Sequence, residues 1–117
     1  MDIIKKEIGG PENIGTSCDL VSLQAAFCTI FSSPVRLRIM DLLVTGEQSV
    51  GGLAEQLKVT MANVSQHLRL MRNQGAVDFR RDGKTVYYRV ANPKFSEGMM
   101  KMREGLLEEL RKKGGLV

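Results

Sequence analysis

The hydrophobic pattern of this 117-residue chain changes period near its middle. Met61, Val64, Leu68 and Met71 recur at steps of three and four, the spacing that puts side chains on one face of a helix with 3.6 residues per turn. Thr60 stands where an N-cap would accept a backbone N–H, and Gly75 where a left-handed cap would end the helix. The opposite face carries Ala62, Ser65, Gln66, Arg69 and Asn73. Past Gly75 the period drops to two. Residues 76–81 and 85–90 read as strands, with Val86, Tyr88 and Val90 on one face and Thr85, Tyr87 and Arg89 on the other. Asp82-Gly83 is the turn signal that joins them into a hairpin.

The flanking segments predict a helical scaffold. Residues 17–31 form one mostly apolar helix; Ser33 then caps a second that starts at Pro34 and runs to Val44, before Gly46. Ser49 caps a third, Val50 to Leu57, weakened by Gly51 and Gly52, and Lys58-Val59-Thr60 turns the chain into the Met61 helix. After Asn92-Pro93 a last helix runs to about Lys113 with Phe95, Met99, Met102, Leu106 and Leu110 on one stripe. Residues 1–15, broken by Gly9-Gly10-Pro11, read as a loose arm, 16–113 as a single domain and 114–117 as a tail. The first helix is apolar nearly all round, so a small domain cannot bury it alone. A homodimer joined by Leu20, Leu23 and Phe27 of the first helix and Met99, Met102, Leu106 and Leu110 of the last answers that need.

A helix, a short turn, a second helix and a basic hairpin together predict a mainly α winged helix-turn-helix with a two-stranded wing and a helical dimerisation scaffold. Charge supports DNA as the partner. Residues 49–91 hold seven Lys and Arg against three acids, while the rest of the chain balances at ten and ten, so the net charge of +4 lies in this segment. Nothing between Glu55 and Asp78 is acidic, whereas a merely solvated helix face usually mixes in carboxylates. The expected contacts to double-stranded DNA come from Thr60, Ala62, Asn63, Ser65, Gln66 and Arg69 on the helix and from Arg80, Arg81 and Lys84 on the wing. Gln66 suits an adenine edge, Arg69 a guanine edge or a phosphate, and Ala62 a thymine methyl. The alternative reading is a winged helix that binds protein without specific DNA contact. Two cysteines, no apolar run of about 18 residues and no apolar leader point to a cytoplasmic protein. No nucleophile–base set, phosphate loop or metal quartet suggests an enzyme, and no cofactor is expected.

The runs FSSPVRLRIMDLLVTGEQSVGGLAEQL and VSQHLRLMRNQGAVDFRRDGKTVYYRV resemble the small winged-helix repressors of the ArsR/SmtB family, over roughly residues 16–112. The resemblance implies a dimeric repressor that binds an imperfect palindrome and is released by an inducer. It also implies that Thr60 to Arg69 form the reading helix and Arg80 to Lys84 the wing. The family's usual metal sites look absent. The helix before the reading helix, Val50 to Leu57, contains no thiol, and residues 94–113 contain no His or Asp, only Glu97, Glu104, Glu108 and Glu109. His67, the single histidine, matches the family's Ser-x-His-Leu signature and reads as a structural histidine that packs the reading helix. Cys18 and Cys28 remain candidates for redox or thiol sensing. Ten residues apart on one helix, they lie about 15 Å apart along its axis, too far for an intrachain disulfide. Cys28 reads as a small buried hydrophobe, and Cys18 as the more reactive thiol near the helix start.

Overall fold

A computed structural model describes residues 19–115; the proposed arm 1–15, Cys18 and the last two residues lie outside them. Helix α1 (Leu20–Cys28) is capped by Asp19, whose carboxylate accepts the Ser22 N–H at 2.7 Å. The expected single helix to residue 31 breaks at Thr29, and Thr29–Ser32 winds as a tighter 3₁₀ turn. Thr29 Oγ1 donates to the Ala26 carbonyl and Ser32 Oγ to the Thr29 carbonyl, both at 2.7 Å, the local competition that Ser and Thr offer a helix backbone. Ser33 precedes proline and is accordingly extended, with φ −118° and ψ 127°, which ends that turn.

Helix α2 (Pro34–Val44) starts there, with Ser33 Oγ accepting the Arg36 N–H at 3.3 Å. A two-residue strand β1 (Gln48–Ser49) follows, and Ser49 Oγ caps helix α3 (Val50–Leu57) by accepting the Gly52 N–H at 3.0 Å. A side chain on Gly52 would bring its Cβ to 3.1 Å from that oxygen, so the glycine keeps the cap accessible. Lys58 adopts a left-handed φ of 59° and turns the chain toward helix α4 (Met61–Asn73), where Thr60 Oγ1 accepts the Asn63 N–H at 3.0 Å. Gly75, at φ +86°, ends α4 with its N–H on the Arg72 carbonyl. Strands β2 (Val77–Asp82) and β3 (Thr85–Val90) form the hairpin, and helix α5 (Pro93–Lys112) closes the chain.

The sheet has three strands in the order β1-β3-β2, one more than the pattern predicts. Gln48 and Ser49 pair antiparallel with Tyr88 and Tyr87, so the short strand covers the outer edge of β3. The hairpin register also shifts. Asp82 pairs with Thr85, which makes Gly83-Lys84 the two-residue turn in place of Asp82-Gly83. Gly83 alone has positive φ there, +63°, the pattern of a type II′ turn with glycine first.

The core gathers Ile39, Met40 and Leu43 of α2, Leu53 and Ala54 of α3, Val64, Leu68 and Met71 of α4, and Val77 and Tyr88 of the sheet. Met61, expected on the buried stripe, is 57% exposed. It lies at the first position of α4, where the chain has just turned, and its Cε rests 3.9 Å from where a Gly51 Cβ would stand. Met99 of α5 joins this core, while α1 and the rest of α5 flank it. No α1 side chain is fully buried, although the Phe27 ring sits 4.5 Å from that of Phe95 and 5.8 Å from that of Phe31. An ion pair at 3.0 Å between Arg103 and Asp41 fastens α5 to α2.

Candidate nucleic-acid interface

Helix α4 buries Val64, Leu68 and Met71 and leaves Ala62, Asn63, Gln66 and Arg69 exposed on its other side, with Ser65 half-buried at the border. The helical period dictates this split once Val64 and Leu68 enter the core. Thr60 is exposed, but its hydroxyl is already engaged as the N-cap. Turn α3–α4 and helix α4 therefore present a row of amide, hydroxyl and guanidinium groups.

Strand alternation divides the hairpin into two faces. Phe79 pairs with Tyr88 and Arg81 with Val86 on the face turned to α4. Arg80 pairs with Tyr87 and Asp78 with Arg89 on the other face. Arg80 and Arg81, adjacent in sequence and both expected to touch DNA, thus part company. Arg80 donates twice to Glu47, Nε to Oε2 at 2.9 Å and Nη2 to Oε1 at 2.8 Å, and its guanidinium stacks 4.6 Å from the Tyr87 ring centre. Hydrogen bonding from Arg80 holds the Glu47 carboxyl below its usual range, and Glu47 in turn raises Arg80. Arg80 thereby links the wing to the α2–β1 turn. Arg81 and Lys84 have no ion-pair partner among the described residues, and neither do Arg69 and Arg72.

Two clefts separate α4 from the wing. One of about 400 Å³ is bounded by Ser49, Gly51, Met61, Ser65 and Lys84; the other, about 240 Å³, by Ser65, Arg69, Arg72, Phe79 and Arg81. No carboxylate lines either. Arg72 lies 4.7 Å from the Phe79 ring centre, a contact the helical pattern alone does not reveal because it joins α4 to β2.

His67 links the inner side of α4 to α2. Its Nδ1 lies 3.3 Å from Arg36 Nη1, while Arg36 also donates through Nε to the Ile30 carbonyl at 2.8 Å and through Nη2 to that of Thr29 at 3.1 Å. A guanidinium only donates, so Nδ1 accepts and the ring is the neutral Nε2–H tautomer. Burial first, and the Arg36 charge second, push the His67 pKa below its ordinary value.

The proposed contact residues of the two outer helices divide by exposure. Leu23, Met102, Leu106 and Leu110 are 41–64% exposed, Leu20 and Phe27 are half-buried, and Met99 belongs to the chain's own core at 6%. Cys28, expected to be buried, is exposed and free because α1 turns that side away from the core. Among the described residues no three His, Cys, Asp or Glu side chains gather as a metal site, and no single helix is long and apolar enough to cross a membrane.

A helix held by a preceding short helix and flanked by a three-stranded sheet with a basic hairpin defines a winged helix-turn-helix. Residues 33–78 match the family described as bacterial regulatory protein, arsR family. The chain is 36% identical over 92 residues to an uncharacterised helix-turn-helix transcriptional regulator of Mycobacterium tuberculosis, a match covering 78% of this chain and 81% of that protein. It is 40% identical over 76 residues to a transcriptional repressor SmtB homologue of Synechocystis, covering 65% of this chain and 58% of that one. Across the first relatives the matched stretch spans between 54% and 81% of their own lengths. The solution structure of a homodimeric winged helix-turn-helix DNA-binding domain from Mycobacterium bovis superposes with a TM-score of 0.74 at 27% identity, covering 80% of this chain and 86% of that one. The chain belongs to the ArsR family.

Proposed function

We propose that the protein is a homodimeric transcriptional repressor that reads duplex DNA through α4 and releases it in response to an inducer. The observation that carries this reading is the exposed row Ala62, Asn63, Gln66 and Arg69, set beside clefts that no carboxylate lines. Such a row offers a bidentate amide for adenine, a guanidinium for guanine or phosphate, and a small side chain that permits close approach to a base edge. Repression and dimer formation are supported by the repressor and the homodimeric DNA-binding domain to which the chain is similar.

The dimer pairs α1 and α5 across a twofold axis. Leu23, Met102, Leu106 and Leu110 are large apolar side chains left exposed on these two outer helices, and a twofold contact would remove them from water. Two reading helices on one side of the dimer then call for an imperfect palindrome as operator.

The reading is tested by titrating duplexes from the gene's own upstream region and a random duplex of equal length with wild-type protein and Gln66→Ala. Wild type binds the upstream duplex far more tightly than the random one. Gln66→Ala loses about 1–3 kcal/mol on the preferred duplex and relaxes selectivity at one base pair of each half-site. Equal affinity of the wild type for both duplexes would contradict specific reading and favour the protein-binding alternative.

A further inference from the structure

We propose that the cleft between α4 and the inner face of the wing is a seat for one backbone phosphate of duplex DNA, completed by Arg72. The inference rests on the DNA-binding reading above and adds to it a site and a residue. Three guanidinium groups line the same cleft of about 240 Å³, Arg69 and Arg72 from neighbouring turns of α4 and Arg81 from β2, with the hydroxyl of Ser65 on the same helical face. None of the three has an ion-pair partner among the described residues. The nearest acids in sequence, Asp78 and Asp82, stand on the opposite face of the hairpin, 3.8 Å from Arg89 and 3.9 Å from Arg80.

Three like charges around one cleft repel one another unless an anion lies between them, so the cleft favours an anionic occupant. The planar fork of arginine matches the oxygens of a phosphate, and the Phe79 ring under Arg72 at 4.7 Å orients that fork before any ligand arrives. Phe79 is itself steadied by Tyr88, with ring centres 5.8 Å apart. The phosphate belongs to a duplex because the seat is continuous with the larger cleft. Ser65, Val50 and Val86 line both, and the larger one leads to Lys84 at the wing tip. A strand running from the reading helix toward the wing would place successive phosphates along this basic track.

The experiment is a salt titration of a random-sequence duplex, followed by fluorescence anisotropy, with the full chain and its single variants. Each phosphate lost from a protomer makes the plot of log affinity against log salt shallower by about 0.9. Arg72→Gln and Arg81→Gln each flatten the slope by that amount per protomer. Arg72→Lys, which keeps the charge and loses the fork, keeps the slope and binds more weakly. Lys101→Gln, the same change in net charge on α5, leaves the slope as in the wild type. A wild-type slope in Arg72→Gln, or an equal flattening in Lys101→Gln, would overturn the seat while leaving the DNA-binding reading in place. No salt-dependent binding by the wild type removes both. Thermal stabilisation of the DNA-free protein by inorganic phosphate that Arg72→Gln abolishes, together with a wild-type salt slope on the duplex in that same variant, would reassign the seat to soluble anions and contradict the assignment to the backbone.

Discussion

Arg80 and Arg81 are equally basic in the sequence and unequal in the fold. Strand alternation sends Arg81 to the face that meets α4 and leaves Arg80 on the far face, where Glu47 accepts from its Nε and Nη2. A guanidinium whose charge and one edge are already met by a carboxylate gains less from a phosphate than a free one. Arg81→Ala should therefore weaken binding to every duplex and make its salt dependence shallower, whereas Arg80→Ala should leave the salt dependence nearly unchanged. The two slopes, measured side by side, check the division of labour; equal flattening by both variants would return Arg80 to the interface. Glu47 lies 33 residues before Arg80, which is why no local pattern could pair them.

At the scale of elements, the long periodic segments were legible and the short corrections to them were not. The stripe Val64, Leu68 and Met71, the proline and cap at the start of α2, and the alternation in β3 each predict the element that forms. Strand β1 has only two residues and no alternation of its own; it exists because the edge of β3 offers unpaired backbone groups some 40 residues downstream. The 3₁₀ turn after α1 depends on two hydroxyls that draw carbonyls away from the helix, and a purely apolar reading of that segment cannot register them. The exposed polar face of α4 was visible because the helix is long enough to reveal its period. Arg72, proposed above for the phosphate seat, is not singled out by the helical pattern because its partner, Phe79, belongs to another element. The link between α4 and α2 yields a pH prediction. Folding lowers the His67 pKa, so below its ordinary value the unfolded chain holds more protons than the folded one. The contribution of His67 is fully present at neutral pH and is lost as pH falls through about 6.5 toward the lowered folded value. Denaturant melts between about pH 7.5 and 5.5 should show a decline in wild type that is smaller in His67→Gln, whose amide can still accept from Arg36. An identical decline in both would remove His67 from the acid sensitivity.

At the scale of the whole molecule, the exposed polar face of α4 and the exposed apolar side chains of α1 and α5 are each of limited use without the other. One reading helix spans a half-site; two on a twofold axis span an operator and multiply its selectivity. Met102→Glu with Leu106→Glu places unpaired charges at the proposed axis, and burying them costs several kcal/mol, about enough to separate a small dimer. Both side chains are more than 60% exposed in the single chain, so the monomer should remain folded. Sedimentation should show folded monomers with unchanged helix content, and persistence of a dimer would place the interface elsewhere. The most direct test of the central claim is a footprint of the wild-type protein on the DNA upstream of its own gene. A twofold pair of α4 helices should protect two half-sites whose centres lie about 10 base pairs, one helical turn, apart and are related by imperfect twofold symmetry. Protection that spreads evenly over the fragment, or none at concentrations that saturate a random duplex, would contradict it.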